Sequence, residues 1–410
     1  MNKKVNNMKK LIILFIIAIT SCQNNSGNQP KDLRIIDVEG GVGKGRLVKL
    51  SEIAESIEYI PLETNSNTMV GKIHNNRIYY ENGLFYMMEP NRSIVIFNSK
   101  GKYFNKINKL GRGPQEYDGV SDIDIDLRTG NIHIMTHNRI LEYSVDGVFV
   151  KVVNFQNNPI LNDQILNKVQ KIGNNFFLLA HITKRTKHSG FIIDSASNIL
   201  KSIYYPESQY EIYKRSPDLI MQPISFMHKE NVRLIKGYSQ EILSIREDFR
   251  IDTAYILNYG KYSVDLNNSS HLLSRAPYIW PRFKIFESDQ YLFMFFHVGP
   301  LADKPAKMIG TRGNQYDYQH DCSFFNKRTG EFQFIHQPEI NQLGFVEDFE
   351  GGPAVWPKYV SSDGYLITYL YAHEFKAHAE THEVSERFKQ IAHSLKDTDN
   401  PVIVRVKLKQ

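Results

Sequence analysis

The chain has two tryptophans, and they fall in near-copies of one another. "IWPRF" spans 279–283 and "VWPKY" spans 355–359, 76 residues apart, with a cation two residues after each indole (Arg282 after Trp280, Lys358 after Trp356). A flat indole beside a cation suits sugars and other amphipathic ligands, and Trp and Arg are favoured where binding energy concentrates. Packing between neighbouring structural units is the competing reading. A second candidate is "KLGRGPQEY" at 109–117. It is not a phosphate loop, because no Lys-Ser/Thr pair opens a helix after the glycines. Either Arg112, Glu116 and Tyr117 border a ligand mouth, or Gly111, Gly113 and Pro114 shape a crossing in which Arg112 and Glu116 pair with their neighbours.

Metal and nucleophile chemistry find less support. "DIDID" puts Asp122, Asp124 and Asp126 on one face of a strand, since alternate residues share a face. Calcium takes such oxygens, but Leu127 breaks the loop spacing, so no metal or other cofactor is expected beyond that one option. His378, His382 and Glu386 stand at i, i+4 and i+8 of an amphipathic run, without HExxH, and read as solvated helix residues. No G-x-S-x-G occurs, and Cys322 opens a strand, where burial is the expectation. His137 and His297 are histidines that could border a channel mouth, with no acid or base partner assignable.

The N-terminus sets the compartment. Lys3, Lys4, Lys9 and Lys10 precede the apolar run "LIILFIIAI", too short to span a bilayer, which needs roughly 20 residues, and typical of a secretory leader. The run ends Ile19-Thr20-Ser21-Cys22, which resembles the lipobox of bacterial lipoproteins and implies lipid on Cys22 after cleavage before it. Residues 1–21 hold four lysines and no acids, so the whole-chain charge of +6 falls to about +2 in the remainder, 46 basic against 44 acidic. Nucleic acid is not an expected partner. With Cys22 lipidated, only Cys322 remains, and no intramolecular disulfide can form.

The elements that position these residues recur. "SIVIFNSKGKYFNKI" (93–107) and "RILEYSVDGVFVKVV" (139–153) align with Phe97 on Tyr143 and Gly101 on Gly147, both 46 apart. Weaker copies lie at 190–205, 240–257 and 322–336, with turns at Ser197-Asn198, Glu247-Asp248 and Thr329-Gly330. A further strand pair precedes each hairpin. Four antiparallel strands per unit predict an all-β, six-bladed β-propeller. The sixth blade takes strands from 359–372 and 401–409, and "SIEYIPLE" (56–63) closes the ring. Irregular spacing in the later units leaves a seven-bladed ring as the alternative. Insertions at 298–320 and 373–400 separate the second and third strands of blades five and six. The latter reads as one helix with an apolar stripe through Phe375, Val384, Phe388, Ile391 and Leu395, which is a lid, a partner surface or a cap over apolar rims.

"SEIAESIEYIPLET" (51–64), "GRGPQEY" (111–117) and "FRIDTAYILNYGKY" (249–262) together resemble the six-bladed β-propeller lipoproteins of Bacteroides-type bacteria, a group with NHL-like repeats. The resemblance covers nearly the whole chain after the leader. It implies a leader at 1–21, a tether at 22–46 and a propeller at 47–410. It implies a Gram-negative envelope protein anchored in the outer membrane through Cys22; the lack of an acidic cluster after Cys22 favours the periplasmic side. The function expected is a binding module for a glycan, a peptide or an envelope protein. The site residues would be Arg112, Glu116, Tyr117, Trp280, Arg282, Trp356 and Lys358. A propeller hydrolase or lyase, metal-assisted and acting on an envelope or dietary polymer, is the alternative.

Overall fold

The middle strands of the repeats are largely buried on both faces. In the first repeat Leu84–Met88 and Ile94–Asn98 are buried at nearly every position, whereas Tyr103 and Phe104 of the strand that follows are exposed. A strand buried on both faces needs a packed layer on either side, and a ring of sheets provides that for every sheet. A computed structural model describes residues 34–74, 77–90, 92–215, 221–265, 277–282 and 285–410. The leader, Cys22 and residues up to 33 lie outside the described residues.

The sheets form six blades, not seven. Blade one runs outward from the axis as Ile78–Glu81, Leu84–Met88, Ile94–Asn98 and Tyr103–Ile107. Blade two is Asp122–Ile125, Ile132–Met135, Arg139–Tyr143 and Phe149–Asn154. Blade three is Ile165–Ile172, Asn175–His181, His188–Ile193 and Ile199–Tyr204. Blade four is Ile224–His228, Asn231–Ile235, Glu241–Ile245 and Ile251–Asn258. The inner strand of blade five comes in two pieces, Trp280–Pro281 and Phe286–Glu287, followed by Tyr291–His297, His320–Asn326 and Phe332–Ile335. Blade six is Tyr359–Val360, Tyr365–Leu370, Val402–Leu408 and, outermost, the N-terminal strand Ala54–Pro61. Six apolar clusters, one per seam between neighbouring blades, make up the main core.

The propeller begins earlier than residue 47. Arg34–Asp37 adds a fifth, parallel strand to the outside of blade four. The chain then passes along blade five, where Arg46 bridges Ile335 and Lys49 bridges Val346, before entering blade six. Residues 34–61 thus form a girdle around half of the ring, with Ile36, Val38, Val48, Leu50 and Ile57 buried beneath it.

The insertion in blade six is two helices, not one. Ala372–Thr381 and Glu386–Ser394 are separated at His382–Ser385. Ser385 starts the second helix by accepting the Phe388 N–H (3.1 Å), the usual N-cap contact. The turn lets Phe388 stack on Phe375 at 3.9 Å with Tyr59 edge-on to both. The helices therefore cap the seam between blades five and six. The insertion in blade five carries a small hairpin, Ala306–Ile309 with Gln315–Tyr318.

The seam between blades two and three is stitched by "DIDID". Asp122 accepts the Val169 N–H (3.2 Å) and Asp124 the Lys171 N–H (2.9 Å) of the next blade. Asp126 instead accepts the Arg128 N–H within its own turn (2.9 Å). Behind them His133, fully buried, lies 3.8 Å from Asp124 and 3.3 Å from Glu142. Burial opposes its protonation, but the two carboxylates outweigh that and raise its pKa; the same contact holds Glu142 at about 2.

Two predictions follow from this architecture. Gly101 and Gly147 occupy equivalent turns at φ 76° and 79°, where any other L-residue costs about 1 kcal/mol. A Cβ on Gly147 meets nothing closer than 3.5 Å, but one on Gly101 would stand 2.4 Å from the Pro61 carbonyl oxygen of the closing strand. Gly101→Ala should therefore lower the denaturant midpoint clearly more than Gly147→Ala; equal losses would show that the closing strand yields freely. The second concerns pH. His133 binds its proton more tightly folded than unfolded, so its contribution is complete below about pH 6.5 and is lost as pH rises through the folded pKa. The stability gap between the wild type and His133→Asn should narrow as pH is raised through that value. A gap constant with pH would assign His133 to packing alone.

Candidate functional site

The inner strands surround the axis, and six strands leave a channel that their side chains do not fill. Loops joining one blade to the next leave the ring on one face, here the crossover face; the turns after the inner strands leave on the other, the hairpin face. A cavity of about 360 Å³ lies at the crossover-face end and one of about 150 Å³ at the hairpin-face end. Asp124, Met227, Glu287, Tyr359 and Val360 border both and form a collar between them.

The larger cavity carries the chemistry. Asn167, Lys168 and Gln170 enter it from blade three, Ser225 from blade four, Arg77 from the edge of blade one and Lys358 from blade six. Asn167 Oδ1, Gln170 Oε1 and Ser225 Oγ are buried and have no hydrogen-bond partner among the described residues. Each such atom costs about 1–3 kcal/mol unless something pairs with it, so three around one cavity is a notable concentration. Arg77 Nη2 stands 3.7 Å from Asp122. Lys168 donates to the Ser225 carbonyl; burial lowers its pKa and raises that of Asp122. The Lys358 ammonium sits 4.8 Å from the centre of the Tyr369 ring, and burial lowers its pKa as well. Tyr79 and Tyr359 meet edge to face at 5.2 Å.

Glu287, in the collar, is already fully engaged. It takes Arg233 (2.9 Å), Lys327 (2.7 Å) and the Tyr255 hydroxyl (2.8 Å). Burial opposes its ionisation, but Lys327 and Arg233 bring it down to about 2. Nearby His228 is pushed down to about 4, chiefly by burial. At the hairpin-face mouth Arg128 reaches from blade two to Glu230 (3.0 Å) and Glu247 (3.6 Å) of blade four. On the other side of the axis the Tyr359 hydroxyl donates to Glu81 (2.7 Å), which also accepts the Ser362 N–H (2.9 Å).

Of the seven residues expected to bind ligand, the structure brings only Lys358 to this cavity; Asp122 and Asp124 of "DIDID" line it as well. Tyr117 is fully buried, with its hydroxyl near the carbonyls of Arg92 and Ile107 (3.2 and 3.3 Å). Glu116 folds back to accept the Gly113 N–H (2.9 Å), and its own carbonyl takes Arg139 (2.7 Å). A Cβ on Gly111 would strike that carboxylate at 2.0 Å. "KLGRGPQEY" is therefore a pinned crossing, and Arg112 is exposed on it. Trp280 is 6% exposed and stacks on His297 at 3.9 Å. Trp356 is half-buried among Phe293, Phe345 and Phe295. Both indoles pack against the aromatic strand of blade five. Arg282 lies beside His297 and His320, which burial and its charge help hold at about 4. His137 is exposed on a loop, and Cys322 is buried, its thiol pushed up by burial.

His378 and His382 stack at 3.9 Å, but His382 ends the first helix and Glu386 begins the second, so the shared face is lost. Among the described residues no three His, Cys, Asp or Glu side chains are grouped to hold a metal ion. Sequence reasoning missed Arg77, Asn167, Lys168, Gln170 and Ser225. Their signal was polar residues in or next to the first strand of a repeat, as in "ILNKVQKI" (165–172), where Asn167, Lys168, Gln170 and Lys171 fall among apolar positions.

No helix among the described residues is long and apolar enough to cross a membrane. No curated protein matches the chain. Among solved structures, it is similar to a protein of Bacteroides fragilis thought to be exported, at 14% identity over 92% of this chain and 100% of that one, with a TM-score of 0.61. It is also similar to a member of the DUF4221 family from Bacteroides vulgatus, at 14% identity over 87% and 98%, with a TM-score of 0.48. The first of these likenesses establishes the shared fold. The model of the domain of unknown function DUF4934 matches residues 33–407, and the chain belongs to that family.

Proposed function

We propose that this protein is a lipid-anchored binding module of the cell envelope that takes a small polar ligand into the crossover-face end of its axial channel. One observation carries the reading: Asn167 Oδ1, Gln170 Oε1 and Ser225 Oγ line one cavity, buried and without protein partners, beside two lysines that form no ion pair among the described residues. A cavity of about 360 Å³ lies at the small end of the ligand-site range of roughly 300–1,000 Å³. The expected face is kept, but the site moves from the rim tryptophans into the channel. The anchor rests on the sequence, through the basic leader and Ile19-Thr20-Ser21-Cys22, and on the likeness to a protein thought to be exported.

The channel reading is tested by thermal shift against a broad panel of sugars, amino acids, short peptides and organic anions. A ligand that binds only the folded chain raises its melting temperature, by about 2.7 kcal/mol of stability at one hundred times its Kd. Ser225→Phe should fill the cavity and abolish the shift while leaving the far-UV spectrum unchanged. Shifts that survive this variant would place binding elsewhere on the ring. The anchor is tested by fractionating an envelope-bearing host: wild-type chain should sediment with membranes and Cys22→Ser should be released. Sedimentation of both would remove the lipid from the proposal.

A further inference from the structure

We infer that the ligand of the larger cavity is a small acidic sugar, a polyhydroxy carboxylate of about monosaccharide size. The inference rests on the channel reading above and adds the ligand class. It follows from which groups on the wall are spent and which are left.

The carboxylates are spent. Asp122 faces Arg77 and the Val169 N–H. Asp124 takes the Lys171 N–H with His133 behind it. Glu287 is held by Arg233, Lys327 and Tyr255. The ammonium groups are not: Lys168 rests on a backbone carbonyl and Lys358 on an aromatic ring, and neither has a carboxylate within ion-pair distance among the described residues. An incoming anion therefore finds both ammonium groups without a directly paired carboxylate, Lys168 being offset only at longer range by Asp122 and Asp124 and Lys358 by Glu374, and in a partly desolvated site that attraction is strong. A zwitterion such as an amino acid fits less well, because its ammonium would need a carboxylate with capacity to spare.

The uncharged groups narrow the class further. Gln170 Oε1 and Asn167 Oδ1 are acceptors that want a donor, and Ser225 Oγ serves as either. A bare phosphate or sulfate offers them few donors. Sugar hydroxyls donate and accept, so they satisfy both amides in either orientation. The rings of Tyr79 and Tyr359 border the same cavity and give the apolar face of a pyranose a surface to lie on.

The test is titration calorimetry on the mature chain with galacturonate, glucuronate, galactose, glycine and inorganic phosphate. The uronates should bind about tenfold or more tighter than galactose, the value of one charge-assisted hydrogen bond. Lys358→Gln and Lys168→Gln should each weaken uronate binding about tenfold or more, and far more than they weaken galactose binding. If burial makes the lysine variants misfold, Gln170→Glu keeps the question open to experiment: the added carboxylate should weaken uronate binding far more than galactose binding. Galactose bound as tightly as the uronates, and lost in Ser225→Phe, would overturn the acidic class and leave the channel reading intact. A preference for glycine or phosphate would overturn it likewise. No heat with any of these probes would also overturn it, and the channel reading would then stand or fall on the broader panel.

Discussion

The register between Ala54–Pro61 and Val402–Leu408 is the constraint on which the rest of the ring depends. Seven residue pairs, from Ala54 with Leu408 to Pro61 with Val402, tie the first blade strand of the chain to its last. Without that ladder blade six would have an open outer edge and no cover for Val404 and Val406. Its inner strand, only Tyr359–Val360, pairs directly with Tyr365–Leu370, which Val402–Leu408 holds from the outer side. Lys358 and Tyr359 reach the channel wall through Ile367 of the next strand, in a sheet whose outer edge the closing strand completes. The girdle that precedes the closing strand extends the same logic, covering the outer edges of blades four and five with chain that would otherwise be linker.

Closure also explains why the axis is polar. Around the perimeter the seams are apolar and fully packed, with Phe85, Phe97, Phe176, Phe177 and Phe293 buried. Toward the axis six short strands converge without touching across the opening, so no side chain there can be buried by its opposite number. Polar groups are tolerated in that position, and the chain uses most of them to stitch neighbouring blades: Asp122 and Asp124 to blade three, Glu81 to blade six, Glu287 to blade four. What remains after the stitching is a small set of groups with nothing left to hold within the protein, and they lie together in one cavity.

Much of the architecture was legible in the sequence because it is local. A glycine recurring after 46 residues marks a turn wherever the chain goes, and Gly101 and Gly147 both take the left-handed conformation that the repeat implies. In blades three and four the equivalent position is held by Ser197 and Phe249 with positive φ, so the fourth turn lies one residue later than its acidic residues indicated. The helix break was also readable: Ser385 followed by Glu386 is a start signal inside an apparently continuous amphipathic run. The site was not legible in the same way. Residue type pointed to the tryptophans, but type cannot reveal that Phe293 and Phe345 of the adjoining elements would close over Trp356, or that His297 would lie flat on Trp280. The channel groups come from four blades, and nothing in a linear pattern states that Arg77, Gln170, Ser225 and Lys358 share a wall.

The closing strand sets the order in which the fold can be completed. Pro61 and Val402 are paired, yet 340 residues of chain separate them. A chain that emerges N-terminus first presents Ala54–Pro61 long before its partner exists, while blades one to five can each be completed from consecutive segments. Contacts of such long range form slowly, and until they form the waiting strand is an open template for another chain. Blade six is therefore the last to assemble. A chain cut short before Val402 would keep five blades' worth of strands but expose both ends of an unclosed ring, which makes the final few residues a checkpoint for the integrity of the whole protein.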